Sequence, residues 1–219
     1  MDKKFKDLWK IKTNEILMMR DRGFPIDNLL EHYDEKYFSN LSNTVVYDKA
    51  RDGLSYIYIK ADQKIKVKYF PYKATSVTDG DIKSYISNEQ NSENMDYIII
   101  ANSAIKTNVL FNIKNINAVA FTDNELKRRI VDHFFVDKHE KLTQEEKEDL
   151  LASGITLDQL PKLTHTPNSK EYKLLPVEDP LIKHYGWRKG DIIRIRRHDT
   201  SLNSLVEKQI YYRVVFFGL

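Results

Sequence analysis

The segment at residues 175–215 leaves the chain few choices. Asp179 and Pro180 open a short helix, because the carboxylate can accept bonds from free backbone N–H groups and proline suits the first turn. Leu181, Ile182 and Tyr185 fall on one side of that helix, and Gly186 stands where a left-handed residue ends one. Lys189 and Gly190 turn the chain into Asp191-Ile192-Ile193-Arg194-Ile195-Arg196, branched residues alternating with charge, which is a strand pattern. After a polar loop at residues 198–208, Ile210-Tyr211-Tyr212-Arg213-Val214-Val215 reads as the returning strand. The expected local product is helix, turn and hairpin.

The 219 residues allow one large domain or two small ones, each able to bury a core. A net charge of +3 announces no global basic field, so any contact with nucleic acid must come from a local patch. The absence of cysteine removes disulfides, thiolate catalysis and thiolate zinc sites together. No apolar run approaches the roughly 20 residues needed to cross a bilayer. Met1-Asp2-Lys3-Lys4-Phe5-Lys6-Asp7 leads into an amphipathic stretch and not into a signal core. The expectation is a soluble intracellular protein with no membrane contact.

Along the chain, Phe5, Leu8, Trp9, Lys12, Ile16 and Met19 mark one helical face, stopped at Gly23 and Pro25. A second short helix is expected over residues 27–36, giving a helical hairpin. Residues 44–47, 54–59 and 64–70 read as three strands of an antiparallel meander. A helix over 78–88, a central apolar strand at 97–101, a helix over 107–114 and a strand at 118–121 follow, which makes this part α/β. The charged run at 138–141 is taken as the domain boundary. Thr143 and Glu146 form a capping box that opens a helix through residue 151. The fold class expected is α+β to α/β: an N-terminal domain at 1–138, with a helical hairpin and a mixed sheet, then a β-rich module at 139–219.

Several of these residues carry a resemblance. Asp179-Pro180, Tyr185-Gly186, Gly190, Ile195 and Arg197, followed by Tyr212-Arg213-Val214-Val215, resemble the end of the fifth subunit of eukaryotic RNA polymerases and of its archaeal counterpart. Trp9, Lys12-Thr13 and residues 19–24 are similar to the family's opening helix and turn. Ser103-Ala104-Ile105-Lys106 is similar to a loop of its N-terminal domain, and residues 132–139 to its domain join. Asp137 stands where the family has proline. The segments at 161–178 and 198–208 are longer than the family's, and the second lacks its Pro-Ser-Glu-Thr pattern. With the abundance of Lys, Ile, Asn and Tyr, these departures suggest a divergent member, from a cell or a large DNA virus.

The resemblance implies a non-catalytic subunit of a multisubunit DNA-dependent RNA polymerase, with no cofactor of its own. Its N-terminal domain would form a jaw beside downstream duplex DNA, with Ser103, Ala104, Lys106 and Thr107 facing that DNA. Its C-terminal module would assemble on the largest subunit, among other polymerase subunits, through Asp179, Pro180, Tyr185, Gly186, Lys189, Gly190, Arg194, Tyr212 and Arg213. His133 and His139 would hydrogen-bond across the domain join. The location implied is the nucleus for a cellular source, and the virion or host cytoplasm for a viral one.

Two other readings compete. Asp62-Gln63-Lys64 has an acid-x-Lys form with Asp52 upstream, so a stand-alone nuclease could hold magnesium between the two carboxylates. Aspartates in hairpin turns explain the same residues through backbone preference. A generic DNA-binding adaptor is the other alternative, since Ser103, Lys106 and a helix start near Thr107 suit a phosphate without reading bases. The histidine spacings, His133 to His139 and His184 to His198, place no two ligands on adjacent helical turns, so no metal site is expected.

Overall fold

The computed structural model describes residues 1–72, 77–78, 80–81, 84, 95–103, 118–133, 136–157, 159–160, 179–196 and 210–215. The chain divides into two compact units, Met1–Arg129 and Ile130–Leu219.

In the first unit α1 spans Lys3–Asp21. Its inner stripe buries Phe5, Leu8, Ile11, Ile16 and Met19, as a 3.6-residue period requires. Gly23 ends it in the left-handed region at φ 79°, and a Cβ there would meet Lys60 Nζ at 2.7 Å. The helix expected over 27–36 is two: α2 at Leu29–His32 and α3 at Glu35–Thr44. The break comes at Asp34, whose carboxylate caps α3 by accepting from Tyr37 N at 2.7 Å. The strand expected at 44–47 is absent. Val45 and Val46 are an extended join, and Tyr47–Asp52 is a helix, α4. Tertiary packing overrides β-propensity here: Phe5 meets the Tyr47 ring edge-on at 5.4 Å, and Arg51 is drawn into the core.

The sheet of this unit runs in the order β1-β2-β3-β4, with β1 at Tyr56–Lys60, β2 at Gln63–Tyr69, β3 at Met95–Ala101 and β4 at Ala118–Thr122. The β1–β2 pair is antiparallel, and β2–β3 and β3–β4 are parallel. The expected meander is therefore one hairpin followed by parallel strands, and the apolar strand at 97–101 is central, as its unbroken burial demands. Residues 80, 81 and 84 are helical, and Thr78 and Asp81 bond each other reciprocally. The rest of the helix expected over 78–88, and all of that over 107–114, lie outside the described residues. Thr122 and Glu125 form a capping box at α5, Asp123–Leu126.

Two buried charge pairs lock this unit. Arg51 Nη1 and Nη2 donate to the Asp123 carboxylate at 2.7 and 3.0 Å, Nε to Phe70 O at 2.8 Å, and Nη2 to Ile100 O at 3.4 Å. One α4 side chain thus ties the C-terminal ends of β2, β3 and β4. On α1, Lys12 Nζ donates to Glu15 Oε2 at 2.6 Å and to Leu54 O at 3.1 Å, with the rings of Tyr33, Tyr56 and Tyr69 between 4.8 and 5.7 Å away. Burial, then the nearby Glu15 charge, pushes the Tyr58 and Tyr69 hydroxyls far above their ordinary pKa.

Removing one member of a buried pair leaves an uncompensated charge. Arg51→Ala should lower unfolding stability by about 3 to 5 kcal/mol in urea titrations. Arg51→Met with Asp123→Leu should cost less than the sum of the two single changes. Additive losses would show that the ion pair does not couple α4 to the sheet.

Candidate assembly site

The second unit is built round a three-stranded antiparallel sheet, β5-β6-β7, at Lys138–Lys141, Ile192–Arg196 and Ile210–Val214. The β6–β7 hairpin is the expected one. The charged run at 138–141, where the domain boundary was expected, is its third strand: Lys138 faces Arg196 and Glu140 faces Arg194 in register. A strand of Lys-His-Glu-Lys carries no apolar signal of its own; Glu140 offsets the like charges of Lys138 and Arg196 by pairing with both, and with Arg194.

Local sequence sets the remaining geometry. The capping box of α6, Gln144–Ala152, is present as expected: Thr143 Oγ1 accepts from Glu146 N, and Glu146 Oε2 accepts from Thr143 N at 2.9 Å. Asp179 accepts from Leu181 N and Ile182 N at 2.8 and 3.2 Å and opens α7, Pro180–Tyr185, with proline in the first turn. Gly186 closes it at φ 66°, donating to Ile182 O. Asp191 holds the following turn by accepting from Arg188 N at 2.7 Å, and Gly190 N donates to Val215 O at 2.9 Å.

The pleat sorts the predicted docking residues onto two faces. Ile193 and Ile195 point to one face, where they pack with Ile182, Trp187 and Val215, while the Tyr185 ring stacks on Trp187 at 4.6 Å and 9°. Arg213 and His139 share that face by register. Ile192 and Val214 point to the other and pack with Leu142 and Leu160. Arg194 and Tyr212 lie on this second side, opposite each other. Arg194 already has acceptors: Glu140 Oε2 at 3.3 Å and Glu146 Oε1 at 2.9 Å, with Arg196 Nε reaching Glu140 at 3.0 Å. Asp179, Pro180, Gly186 and Gly190 shape backbone, and Lys189 is exposed. Tyr185 and His139 do come together, lining one cleft of about 260 Å³ with Val131, Val136, Asp137, Lys138 and Leu181.

His139 bonds locally, Nδ1 to Asp137 O at 2.6 Å, and His133 continues the 3-10 turn at Ile130–Asp132. In the first unit, Ser103 follows β3 at its C-terminal end, while Ala104, Lys106 and Thr107 lie outside the described residues, as do the loops at 164–173 and 198–208. Asp52 ends α4 and pairs with Lys68 Nζ at 3.4 Å, whereas Asp62 sits in the β1–β2 turn. Lys68 and that turn stand at opposite ends of β2, roughly 15 Å apart at about 3.3 Å per residue. The two carboxylates of the nuclease reading therefore do not converge. Sequence reasoning missed Glu15, Arg51, Asp123, Glu140 and Glu146 as partners. The Thr122-x-x-Glu125 pattern was the available signal for the Asp123 turn.

The family profile described as RNA polymerase Rpb5, C-terminal domain, matches residues 128–215. The DNA-directed RNA polymerase subunit Rpo5 of Archaeoglobus fulgidus is 34% identical over 91 residues, 41% of this chain and 99% of the relative. The chain belongs to the Rpb5 family. Longer relatives agree along nearly the whole length. The DNA-directed RNA polymerase subunit 5-like protein 1 of Arabidopsis thaliana is 26% identical over 218 residues, 93% of this chain and 95% of the relative. Subunit RPABC1 of RNA polymerases I, II and III from Caenorhabditis briggsae is 23% identical over 228 residues, 95% of each. The names of these relatives make them subunits, or subunit-like proteins, of DNA-directed RNA polymerases. The Rpb5-type segment at 128–215 coincides closely with the second compact unit.

Charge pairing makes that unit acid-sensitive. The Glu140 carboxyl is lowered by its bond to Lys138 and the nearby Arg196 and Arg194, and that of Glu146 by Thr143 N and Arg194. A depressed folded-state pKa gives stability that is present above the unfolded value, about 4.3, and lost as pH falls through the folded value. Thermal melts of the full chain should therefore fall more steeply below about pH 4.3 than those of Glu140→Gln/Glu146→Gln. Glutamine keeps the capping box and removes only the charge. Equal slopes would assign the acid transition to other carboxylates.

Proposed function

We propose that this chain is a non-catalytic subunit that anchors itself to the largest subunit of a DNA-dependent RNA polymerase through its C-terminal module. The observation that carries the reading is the size of the archaeal relative. It is matched over 99% of its length by 41% of this chain, so a segment of this kind is a complete polymerase subunit elsewhere. The profile match at 128–215 supports assigning that role to the second unit. Docking would use the α7 side of the sheet, where Tyr185 and His139 border one cleft and Lys189 is exposed, in preference to the side whose Arg194 is already paired. The N-terminal domain, about 1–138, would be the jaw beside downstream duplex DNA, with Ser103 to Thr107 turned towards it. For a cellular source the location is the nucleus, and for a viral one the virion or host cytoplasm.

Deleting residues 139–219 should remove the tagged chain from the native polymerase, whereas deleting 1–128 should leave the remainder in stoichiometric amount. Stoichiometric copurification of the chain truncated at 138 would overturn the assignment. On the jaw side, a photocrosslinker at position 106 should label DNA ahead of the active site in an elongation complex. Labelling of protein alone would move the DNA-facing surface elsewhere.

A further inference from the structure

The sheet of the first unit ends on β1, and that edge is unguarded. Among the described residues, no backbone bond outside the β1–β2 ladder reaches Tyr56–Lys60. Sheet edges are ordinarily protected by proline, by a bulge or by a cover. β1 contains no proline, and its register with β2 runs unbroken from Tyr56↔Val67 to Lys60↔Gln63.

The register also determines which groups face outwards. Ala61 and Asp62 form a two-residue loop, so the closing pair, Lys60 with Gln63, is the hydrogen-bonded one. Bonded and non-bonded pairs alternate along an antiparallel ladder. Tyr58 and Tyr56 therefore bond inwards to β2, while the N–H and C=O groups of Ile57 and Ile59 point away from the sheet. The same two residues hold their side chains in the open, at 41% and 54% exposure, whereas Tyr58 on the opposite face packs in the core. One strip thus offers backbone donors, backbone acceptors and apolar surface together.

Charge decides what this strip accepts. The β1–β2 hairpin carries Lys60, Lys64, Lys66 and Lys68 against one carboxylate of its own, Asp62. Lys66 and Lys64 stand opposite Ile57 and Ile59 in register, on the same face, and Lys60 and Lys64 are exposed. A second copy of the chain would bring another lysine-rich hairpin against the first, which like charge opposes. We infer that the outer edge of β1 receives an extended segment of another polypeptide, in which apolar residues facing Ile57 and Ile59 alternate with acidic ones. Backbone bonds along the edge would supply affinity and the alternate side chains specificity. An acid beside Lys60 would pair with it, and acids at the ends of the segment would feel Lys64 and Lys66 within one screening length. Pairing at this edge is independent of the docking proposed for the second unit.

The probe is a blocked peptide alternating glutamate with valine, added to the full-length chain and followed by amide exchange in nuclear magnetic resonance. In the free chain the Ile57 and Ile59 amides should exchange fast and the Tyr58 amide slowly. Saturating peptide should slow both isoleucine amides by about tenfold or more and leave Tyr58 unchanged. Ile59→Pro removes an outward N–H, a change that edge strands tolerate. Ile57→Thr/Ile59→Thr keeps β-propensity and removes the apolar contact. Each variant, with its thermal melt retained, should bind the peptide about tenfold more weakly, and Lys60→Gln/Lys64→Gln should reduce the salt dependence of binding. Slow exchange of the Ile57 and Ile59 amides in the free chain overturns the inference. So does an absence of binding, binding that leaves those amides fast, or equal binding of a lysine–valine peptide. Concentration-dependent association of the chain alone, abolished by the threonine variant, overturns it in favour of a second copy.

Discussion

The first unit depends on Arg51. Parallel strands are not closed by hairpins, so their C-terminal ends need some other tie. Arg51 supplies it by bonding the carbonyls that end β2 and β3 and the carboxylate that follows β4. Its planar fork can serve these acceptors at once with fixed geometry, and a lysine ammonium could not match the bidentate arrangement on Asp123. The capping box of Thr122 and Glu125 sets Asp123 in place, so a turn rule and a core ion pair fix each other. There is a functional corollary. Open α/β sheets usually hold ligands outside the carboxyl ends of their parallel strands. Here the buried Arg51–Asp123 pair occupies that position among the described residues.

The Lys12–Glu15 pair acts differently. Both side chains are fully buried on α1, and the ammonium lies among three tyrosine rings while bonding a backbone carbonyl before β1. Desolvation makes such a pair a poor source of stability. What it does impose is rotation and axial position, because only one placement of α1 brings Lys12 within reach of both Glu15 and Leu54 O. Burial of Tyr33 beside the same cluster pushes its hydroxyl up to about 12.

How far these features could be read from sequence follows the range of the rule involved. Thr143–Glu146, Asp179-Pro180 with Gly186, Gly23 after α1, and the β6–β7 alternation are set by residues within one turn or one strand, and all were legible. The misreadings came where contacts between segments outvote local pattern. The Thr44-Val45-Val46-Tyr47 run looks like a strand, but Phe5 and the Arg51 network draw its end into helix α4. Residues 138–141 read as a charged boundary between domains, yet Glu140 is answered by Arg194 and Arg196, more than fifty positions away. Arg51 and Asp123 are 72 positions apart, and no local pattern connects them. The residues expected to dock were legible as a motif while their structural roles were not: Asp179, Gly186, Gly190 and Arg194 serve the module's own fold.

The distribution of charge separates the two units by what each can still offer a partner. In the second unit the sheet's cations are largely answered within it: Lys138, Arg194 and Arg196 by Glu140, Arg194 also by Glu146, and Lys141 by Asp191. A surface neutralised in this way has little long-range pull on a polyanion, and short-range shape and apolar contact must carry its recognition. In the first unit the strongest pairs lie in the core instead, Lys12 with Glu15 and Arg51 with Asp123, where they tie elements together. The described sheet of the module matched to polymerase subunits is thus electrostatically quiet, in a chain of net charge +3.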